Sequence, residues 1–187
     1  CALPISDNLN PPRVFNVDRN YADPIGNIDQ FSAESILVIK KPPVDAPGVQ
    51  PITTGQQDNF LQDRFICFAY RYRYEDGEYS ATSQWSAPAF QPNPFEFSIN
   101  SFLNEGMVNL NNTAIVTYNT GGPLVKGIDL LFKDASNNII KVIDKLNKAE
   151  LGLLDNTDYT YEFSNSKIFT ILPDYKSEEH TSELQSH

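Results

Sequence analysis

Residues 64–75 read RFICFAYRYRYE and carry the strongest secondary-structure signal in the chain. In an extended strand, alternate residues fall on opposite faces. One face of this stretch is apolar and aromatic: Ile66, Phe68, Tyr70, Tyr72 and Tyr74. The other face changes from apolar to basic along the chain: Phe65, Cys67, Ala69, Arg71 and Arg73. The pattern predicts a strand that begins inside a core and ends near solvent.

The residues on either side extend this strand into a β-rich pattern. Asp76-Gly77 predicts a hairpin turn, and residues 78–85 then predict a return strand that ends at Ser86-Ala87-Pro88. Alternating or β-branched runs predict further strands at 35–40, 95–99, 111–119, 125–133, 139–144, 159–163 and 168–171. Residues 44–58 predict a loop, and residues 146–154 predict one or two helical turns. No low-complexity tract and no strict short-period repeat stands out.

This hairpin resembles the last two strands of a fibronectin type III domain. The resemblance rests on the Tyr-rich strand, the turn at residues 75–78 and the sequence SQWSAP at 83–88. Thirteen Pro and nine Gly punctuate the short strand candidates, which is typical of all-β domains. We therefore predict an all-β fold: a fibronectin III/immunoglobulin-like β-sandwich, built as one composite unit or two small ones, with an irregular N-terminal arm.

The domain boundaries follow from composition. Residues 1–34 are interrupted by four prolines and predict an irregular arm or the end of a preceding domain. Residues 35–91 and 92–174 predict a first and a second sandwich unit, with Pro92 and Pro94 at the joint. Residues 175–187 predict a disordered tail.

Residues 177–187, SEEHTSELQSH, resemble a common short-read sequencing adapter translated in frame. The alternative is an ordinary polar tail. Because the chain also begins at Cys1 rather than Met, we expect a fragment of a longer protein from a metagenomic source. Both histidines, His180 and His187, lie in this stretch, so the rest of the chain has no histidine for acid–base catalysis or metal binding. Excluding its three glutamates changes the formal net charge from −10 to −7.

Composition also indicates which classes of partner the chain does not bind. The acidic balance argues against nonspecific nucleic-acid binding, and no apolar run approaches the roughly 18 residues that span a bilayer. We therefore expect no nucleic-acid and no membrane partner. Cys1 and Cys67 form no CxxC pair, and Cys67 is predicted to be a small buried residue.

Three side chains are candidate interface residues: Arg71, Arg73 and Trp85. The arginines alternate with tyrosines, which suits a sugar or single-strand stacking platform. The favoured alternative is a solvated strand face with arginines over neighbouring aromatic rings, because the two sets point to opposite faces. Trp85, the only tryptophan, is a candidate partner anchor or a side chain packed against its neighbours.

Clustered oxygens at residues 134–138 and 155–158 raise the question of calcium, but neither has EF-hand spacing and turn chemistry explains both. Glu75, Asp76 and Glu78 lie in a predicted exposed turn, where nothing adapts a carboxylate to catalysis. Gly121-Gly122-Pro123 is followed by no phosphate-binding signature. We expect no catalytic residue, no metal site and no cofactor, and hence no enzyme activity in this chain.

Three longer stretches carry a second resemblance: residues 64–90, residues 112–144 (NTAIVTYNTGGPLVKGIDLLFKDASNNIIKVID) and residues 159–173 (YTYEFSNSKIFTILP). Together they resemble the large tail-stabilisation protein of crAss-like bacteriophages, over residues 36–174. The resemblance implies a non-catalytic virion protein of the phage tail or neck, a longer parent chain and assembly as a homo-oligomer with other tail or neck proteins.

The sequence leaves two other functions open. The first is a fibronectin-like binding module of a bacterial surface or secreted protein, with glycans as candidate ligands. The second is an accessory domain of an enzyme whose catalytic part lies elsewhere.

Overall fold

The computed structural model describes residues 2–5, 9–18, 33–55, 58–137 and 139–172. The predicted disordered tail with its adapter-like stretch, both histidines, Cys1 and residues 19–32 lie outside the described residues.

The described residues form nine strands and a single turn of α-helix. The strands are β1 (Ala2–Ile5), β2 (Arg13–Asn16), β3 (Gly48–Ile52), β4 (Ile66–Tyr74), β5 (Thr113–Asn119), β6 (Val125–Asp134), β7 (Lys141–Asn147), β8 (Asp158–Phe163) and β9 (Thr170–Ile171). The helix α1 spans Lys148–Leu151. The prediction of an all-β sandwich is confirmed, and the narrower fibronectin or immunoglobulin assignment stays a prediction.

Two antiparallel sheets enclose the core, in the orders β3-β5-β8 and β4-β6-β7-β9, while β1 and β2 form a separate ribbon. Strands β3 and β4 come from residues 35–91, and each pairs with a strand from residues 92–174. Both sheets therefore contain strands from both predicted units, which is the composite arrangement.

The core forms where the alternation of β4 predicted it. Phe68 packs edge-on against Phe163 of β8, with ring centroids 5.1 Å apart. Toward the other end of the strand, Tyr70 and Tyr72 join a second cluster with Tyr118 of β5. Burial of these large apolar rings between the sheets supplies the main driving force for folding. Cys67, on the opposite face, is half-buried rather than fully buried as predicted, because that face is the outer one.

The predicted strands at 35–40 and 95–99 are absent, whereas strands form within the predicted loop 44–58 and, as β1 and β2, within the predicted irregular arm. Residues 35–40 form a 3₁₀ turn at Ala33–Ile36 and then a single bridge from Leu37 to Arg13. Pro42 and Pro43 follow, and because proline lacks an N–H, a ladder cannot continue through them. Residues 95–99 make one isolated bridge, at Phe97.

Within the predicted loop 44–58, β3 forms at the edge of its sheet. An edge strand tolerates Pro51, since a missing N–H costs little on the side that has no neighbour. The predicted helical turn is confirmed as α1. Asn147 precedes the helix as its N-cap, and its side chain accepts a hydrogen bond from the Ala149 N–H. Gly152 follows the helix as its C-cap in the left-handed region, with φ 64°.

The predicted return strand at 78–85 is wrong beyond Tyr79, which makes one bridge to Arg73. In its place, a segment with a three-residue repeat, here called the serine segment (residues 80–89), runs beside β4. The N–H groups of Ser80, Ser83, Ser86 and Ala89 donate to the carbonyls of Tyr72, Tyr70, Phe68 and Ile66, at 2.8–2.9 Å. Three residues of the segment therefore span two residues of β4.

The serine hydroxyls complete this pairing. In an ordinary antiparallel pair, a backbone carbonyl accepts the bond from the opposite N–H. Here the hydroxyl oxygens accept instead: Ser80 from the Tyr72 N–H at 3.0 Å, Ser83 from Tyr70 at 3.1 Å, and Ser86 from Phe68 at 2.9 Å. Each hydroxyl in turn donates to the carbonyl of the next residue. The S-x-x-S-x-x-S spacing is present in the sequence, but a search for the two-residue period of a strand or the 3.6-residue period of a helix does not detect a three-residue repeat.

Replacing Ser83 with alanine tests the pairing. The change leaves the buried Tyr70 N–H without an acceptor, which costs about 1–3 kcal/mol of the free energy of unfolding. Thr82→Ala is the matched control, because the Thr82 hydroxyl lies one residue away, and should cost about 0.5 kcal/mol. Urea denaturation measures both, and equal losses would contradict the role of the serine hydroxyl.

Candidate protein contact site

Arg71, the first candidate interface residue, is buried. Its partner across the β4–β6 ladder is Asp129, and its Nε and Nη2 atoms donate to Asp129 Oδ2 at 3.0 and 2.8 Å. The Tyr79 ring covers the guanidinium, with the centroid 4.0 Å from Cζ. Only 7 % of Arg71 is exposed, so its charge is satisfied inside the protein and does not face a partner.

Arg73 and Trp85 are half-buried on the same outer face. The guanidinium of Arg73 lies over Gly127, where a Cβ would approach Nη2 to 2.9 Å, so a larger residue at 127 would displace the arginine side chain. Lys133 Nζ lies 4.4 Å from the Trp85 ring centroid. The structure therefore places all three candidates on one sheet face, each against its own neighbour, and does not gather them into one cavity. An interface role for Arg73 and Trp85 stays a prediction.

A different feature meets solvent with a large apolar surface. Residues 92–110, here called the apolar hairpin, leave the body between the serine segment and β5. Isolated bridges join Pro92 to Asn109 and Phe97 to Asn104. Ser98 and Leu103 close the tip, where the Ser98 N–H donates to the Leu103 carbonyl at 3.0 Å.

The shape of the apolar hairpin is set by two asparagines and a glycine. Asn104 Oδ1 accepts from the N–H groups of Glu96 at 2.9 Å and Gly106 at 3.1 Å. A Cβ on Gly106 would lie 2.0 Å from the Pro94 carbonyl oxygen, so no other residue fits. At the base, buried Asn109 donates to the Ala89 carbonyl at 2.9 Å and accepts from the Gln91 N–H at 3.1 Å. The body therefore holds the hairpin at a fixed base.

Seven large apolar side chains of the hairpin are between 46 % and 78 % exposed: Phe95, Phe97, Ile99, Phe102, Leu103, Met107 and Leu110. The three phenylalanines alone expose roughly 300–500 Å², taking 150–250 Å² for a complete ring side chain. The largest apolar patch on a typical monomer is about 300–600 Å² in total. With the four aliphatic side chains added, the summed exposure of the seven side chains exceeds that range, and the Phe97 and Phe102 rings contact each other with centroids 6.4 Å apart. Exposed apolar area of this size is typical of protein contact surfaces when it is contiguous.

The apolar hairpin itself carries charge of one sign. Residues 74–125 contain no lysine and no arginine, and the hairpin itself carries Glu96 and Glu105. A matching surface is therefore apolar with a cationic margin. The alternation of Phe95, Phe97 and Ile99 predicted a strand in place of this surface. The more informative signal is a run of large apolar residues among Asn, Ser and Gly, without the regular period of a core element.

A cleft lies at the end of the sandwich opposite the apolar hairpin. This tyrosine cleft, of about 800 Å³, is lined by Tyr70, Tyr72, Tyr74, Tyr118, Asp45 and Asp158, among others. The Tyr74 hydroxyl donates to the Lys41 carbonyl at 2.9 Å. Burial raises the pKa of the Tyr70, Tyr72, Tyr74 and Tyr118 hydroxyls above their ordinary value, so the cleft presents neutral phenols.

In the three acidic turns considered above for calcium binding or catalysis, an aspartate already pairs with other side chains of the protein. Asp134 Oδ1 accepts from the Ser136 N–H and hydroxyl at 3.0 and 2.9 Å, and Arg64 pairs with the other oxygen. Asp155 pairs with Lys148 at 2.5 Å, and Asp76 pairs with Lys40. Within the ranges that the structure describes, no group of three or more metal-ligating side chains occurs.

A scan against protein-family models, a search of curated proteins and a search of solved structures each returned no match. Among the described residues, no helix has both the length and the apolar character that crossing a bilayer requires.

The buried Arg71–Asp129 pair makes a prediction about stability. Asp129→Leu leaves a buried guanidinium without its carboxylate and should cost about 3–5 kcal/mol. The double variant Arg71→Met, Asp129→Leu removes both charges and should regain most of that loss. Urea denaturation of the single variants Arg71→Met and Asp129→Leu and of the double variant measures the coupling. Arg64→Ala, which breaks an exposed pair with Asp134, is the control and should cost less than about 1 kcal/mol. Additive losses would contradict the pairing.

The buried tyrosines make a prediction about pH. Burial raises the pKa of Tyr70, Tyr72, Tyr74, Tyr118 and Tyr161 in the folded chain above the unfolded value of about 10. The unfolded state therefore loses these protons at a lower pH than the folded state does. The contribution of the five tyrosines to the free energy of unfolding is fully present below about pH 10 and decreases as the pH rises above that value. Near-ultraviolet titration of the folded chain should show these five phenols ionising at a higher pH than the tyrosines of the unfolded chain. In urea, all nine tyrosines should titrate together, and simple titration of all nine in the folded chain would refute the account.

Proposed function

We propose that this chain is a non-catalytic structural module that acts through protein–protein contacts in a larger assembly, the tail or neck of a bacteriophage. The observation that carries the proposal is the apolar hairpin. A hairpin with this much exposed apolar area carries a solvation penalty that burial in an assembly removes.

The chemistry of the remaining side chains supports a structural role. The charged groups that face one another inside the described residues are paired: Arg71 with Asp129, Lys148 with Asp155, and Lys40 with Asp76. Such pairs hold elements in register and leave no carboxylate or cation among them poised for proton transfer. The phage assignment itself rests on the sequence resemblance over residues 36–174, which also suggests tail or neck partners, a homo-oligomer and a location in the virion.

The tyrosine cleft favours a second candidate function. A fibronectin-like module on a bacterial cell surface or in a secreted protein would use such a cleft for glycans, because aromatic rings and acidic or amide side chains are the usual sugar contacts. Tyr72 is buried in the core, so its replacement would destabilise the protein as well as alter the cleft. Asp158→Asn is the cleaner probe, since this side chain is exposed at the cleft margin. Carbohydrate binding that this change removes would favour the second function.

Fractionation of the source sample tests the leading proposal. Tryptic digestion should release FICFAYR (residues 65–71) and GIDLLFK (residues 127–133) from the chain. We expect mass spectrometry to find both peptides in a density-gradient band of tailed particles, together with capsid and portal peptides. The cell-envelope fraction is the control. Peptides found in the envelope and absent from the particles would refute the phage proposal and favour the surface module.

A further inference from the structure

The edges of the two core sheets differ in how much backbone they leave unpaired. One sheet ends at β3 and β8, and the other ends at β4 and β9. The serine segment covers β4, β9 has only two residues, and β3 contains Pro51, which has no N–H to offer. The remaining edge is β8, a strand of six residues without proline.

The hydrogen bonds of β8 show which of its residues bond to β5. Next to the first paired residues, the Thr120 N–H donates to the Thr157 carbonyl at 3.0 Å. In an antiparallel ladder, every second residue then bonds to the same neighbouring strand. The residues of β8 that bond to β5 are therefore Tyr159, Tyr161 and Phe163.

The residues between them, Thr160 and Glu162, direct their N–H and C=O groups to the open side of β8. Within the part of the chain that the structure describes, no hydrogen bond reaches these four groups. An unpaired edge of this kind is a template on which a further extended segment can form a strand. The backbone of β8 is therefore able to accept a strand from outside the described chain.

The side chains of β8 define the chemistry of such a strand. Asp158 and Glu162 are exposed on the outer face, while Tyr159 and Tyr161 are half-buried on the inner face. Among the described residues, neither Asp158 nor Glu162 forms a salt bridge. Asp158 Oδ1 accepts a hydrogen bond from Asn119 Nδ2 at 2.7 Å, which holds this carboxylate beside β5. An added strand therefore meets carboxylates on one face and aromatic rings on the other.

We infer that β8 binds an extended segment of another protein, which adds to the open edge as a further strand. The segment carries lysine or arginine opposite Asp158 and Glu162, and apolar residues opposite the two tyrosines. This contact uses a surface other than the apolar hairpin. It therefore goes beyond the proposed function and does not depend on the phage assignment.

Pairing of β8 with β8 of a second copy fits less well. In a two-fold antiparallel contact centred on Thr160, Asp158 of each copy would lie opposite Glu162 of the other. Like charges directly opposite one another destabilise a sheet. Charged edge residues are a common protection against self-pairing, and the same two carboxylates favour a basic partner over an acidic one.

The test uses the purified full chain and a fluorescent peptide, Thr-Lys-Val-Thr-Val-Lys-Thr, which reads the same in both directions. We expect saturable binding in a fluorescence anisotropy titration. Thr160→Pro removes an N–H from the open edge and should weaken binding by at least about 10-fold. Pro51 in β3 shows that an edge strand of this fold accommodates proline, and circular dichroism checks that the variant folds.

Changes to the peptide test the same hydrogen bonds without altering the protein. N-methylation of the central threonine removes the N–H that bonds to the Thr160 carbonyl and should weaken binding by at least about 10-fold. N-methylation of a valine is the matched control, because the valine N–H groups point away from β8. This comparison decides the question even if Thr160→Pro does not fold.

A charge reversal tests the choice of partner. Glu162→Lys places an ammonium group opposite a peptide lysine and should weaken binding by about 3- to 10-fold. Glu96→Lys makes the same change of net charge on the apolar hairpin and should change binding by less than about 2-fold. Equal effects of the two variants would show that net charge alone attracts the peptide, which overturns the inference.

Amide hydrogen exchange locates the contact. The N–H groups of Thr160 and Glu162 should exchange fast in the chain alone and slowly with the peptide bound. Absence of binding, or binding that N-methylation of the threonine leaves unchanged, overturns the inference. Slow exchange at Thr160 without peptide, increasing with protein concentration, would indicate self-pairing and also overturns it. The proposed function is tested separately, because none of these results affects whether tryptic peptides of the chain occur in tailed particles.

Discussion

The fold depends on β4 finding hydrogen-bond partners along both of its edges. This strand lies at the margin of its sheet, yet its residues from Phe68 to Tyr72 are buried, so their N–H and C=O groups cannot turn to water. Strand β6 satisfies one edge, and the serine segment satisfies the other. An unsatisfied buried amide costs about 1–3 kcal/mol, so three such groups together would remove a large part of a typical domain's stability.

Sealing the edge in this way has consequences for the surface. A regular strand beside β4 would itself present a new open edge, a common route to aggregation. The serine segment uses its hydroxyls for β4 and its backbone carbonyls for those hydroxyls, so it ends the sheet there. The chain then leaves the body at Ala89, and the apolar hairpin projects from that point on a base held by Asn109.

The elements that could be predicted from the sequence are those with a run of large apolar and β-branched residues that enters the core. Strands β4, β5, β6, β7 and β8 lie close to their predicted positions: β5 and β8 alternate between buried and more exposed residues, whereas β4 and β6 are buried on both faces over most of their length and were predicted from their apolar composition. Prediction fails where backbone hydrogen bonding, rather than burial, decides the structure. The proline-containing β3 depends on its place at a sheet edge, and the serine segment depends on three hydroxyls in a row.

The candidate site was also only partly predictable from the sequence. Residues of the apolar hairpin predicted a strand, because alternation alone does not indicate whether a partner covers the residues. Arg71 lies on the face that the pattern predicted, but its burial depends on Asp129, 58 residues away in sequence. A single sequence does not reveal such a long-range pair, since neither residue differs from an ordinary surface charge in its local pattern.

Amide hydrogen exchange tests the closure of β4 most directly. We expect the N–H groups of Phe68, Tyr70 and Tyr72, which face the serine hydroxyls, to exchange only through global unfolding, as slowly as the amides of β4 that face β6. The N–H groups at the tip of the apolar hairpin, such as that of Ile99, provide the fast-exchanging reference within the same sample. Fast exchange at Phe68, Tyr70 and Tyr72, at the rate of the hairpin tip, would contradict the account.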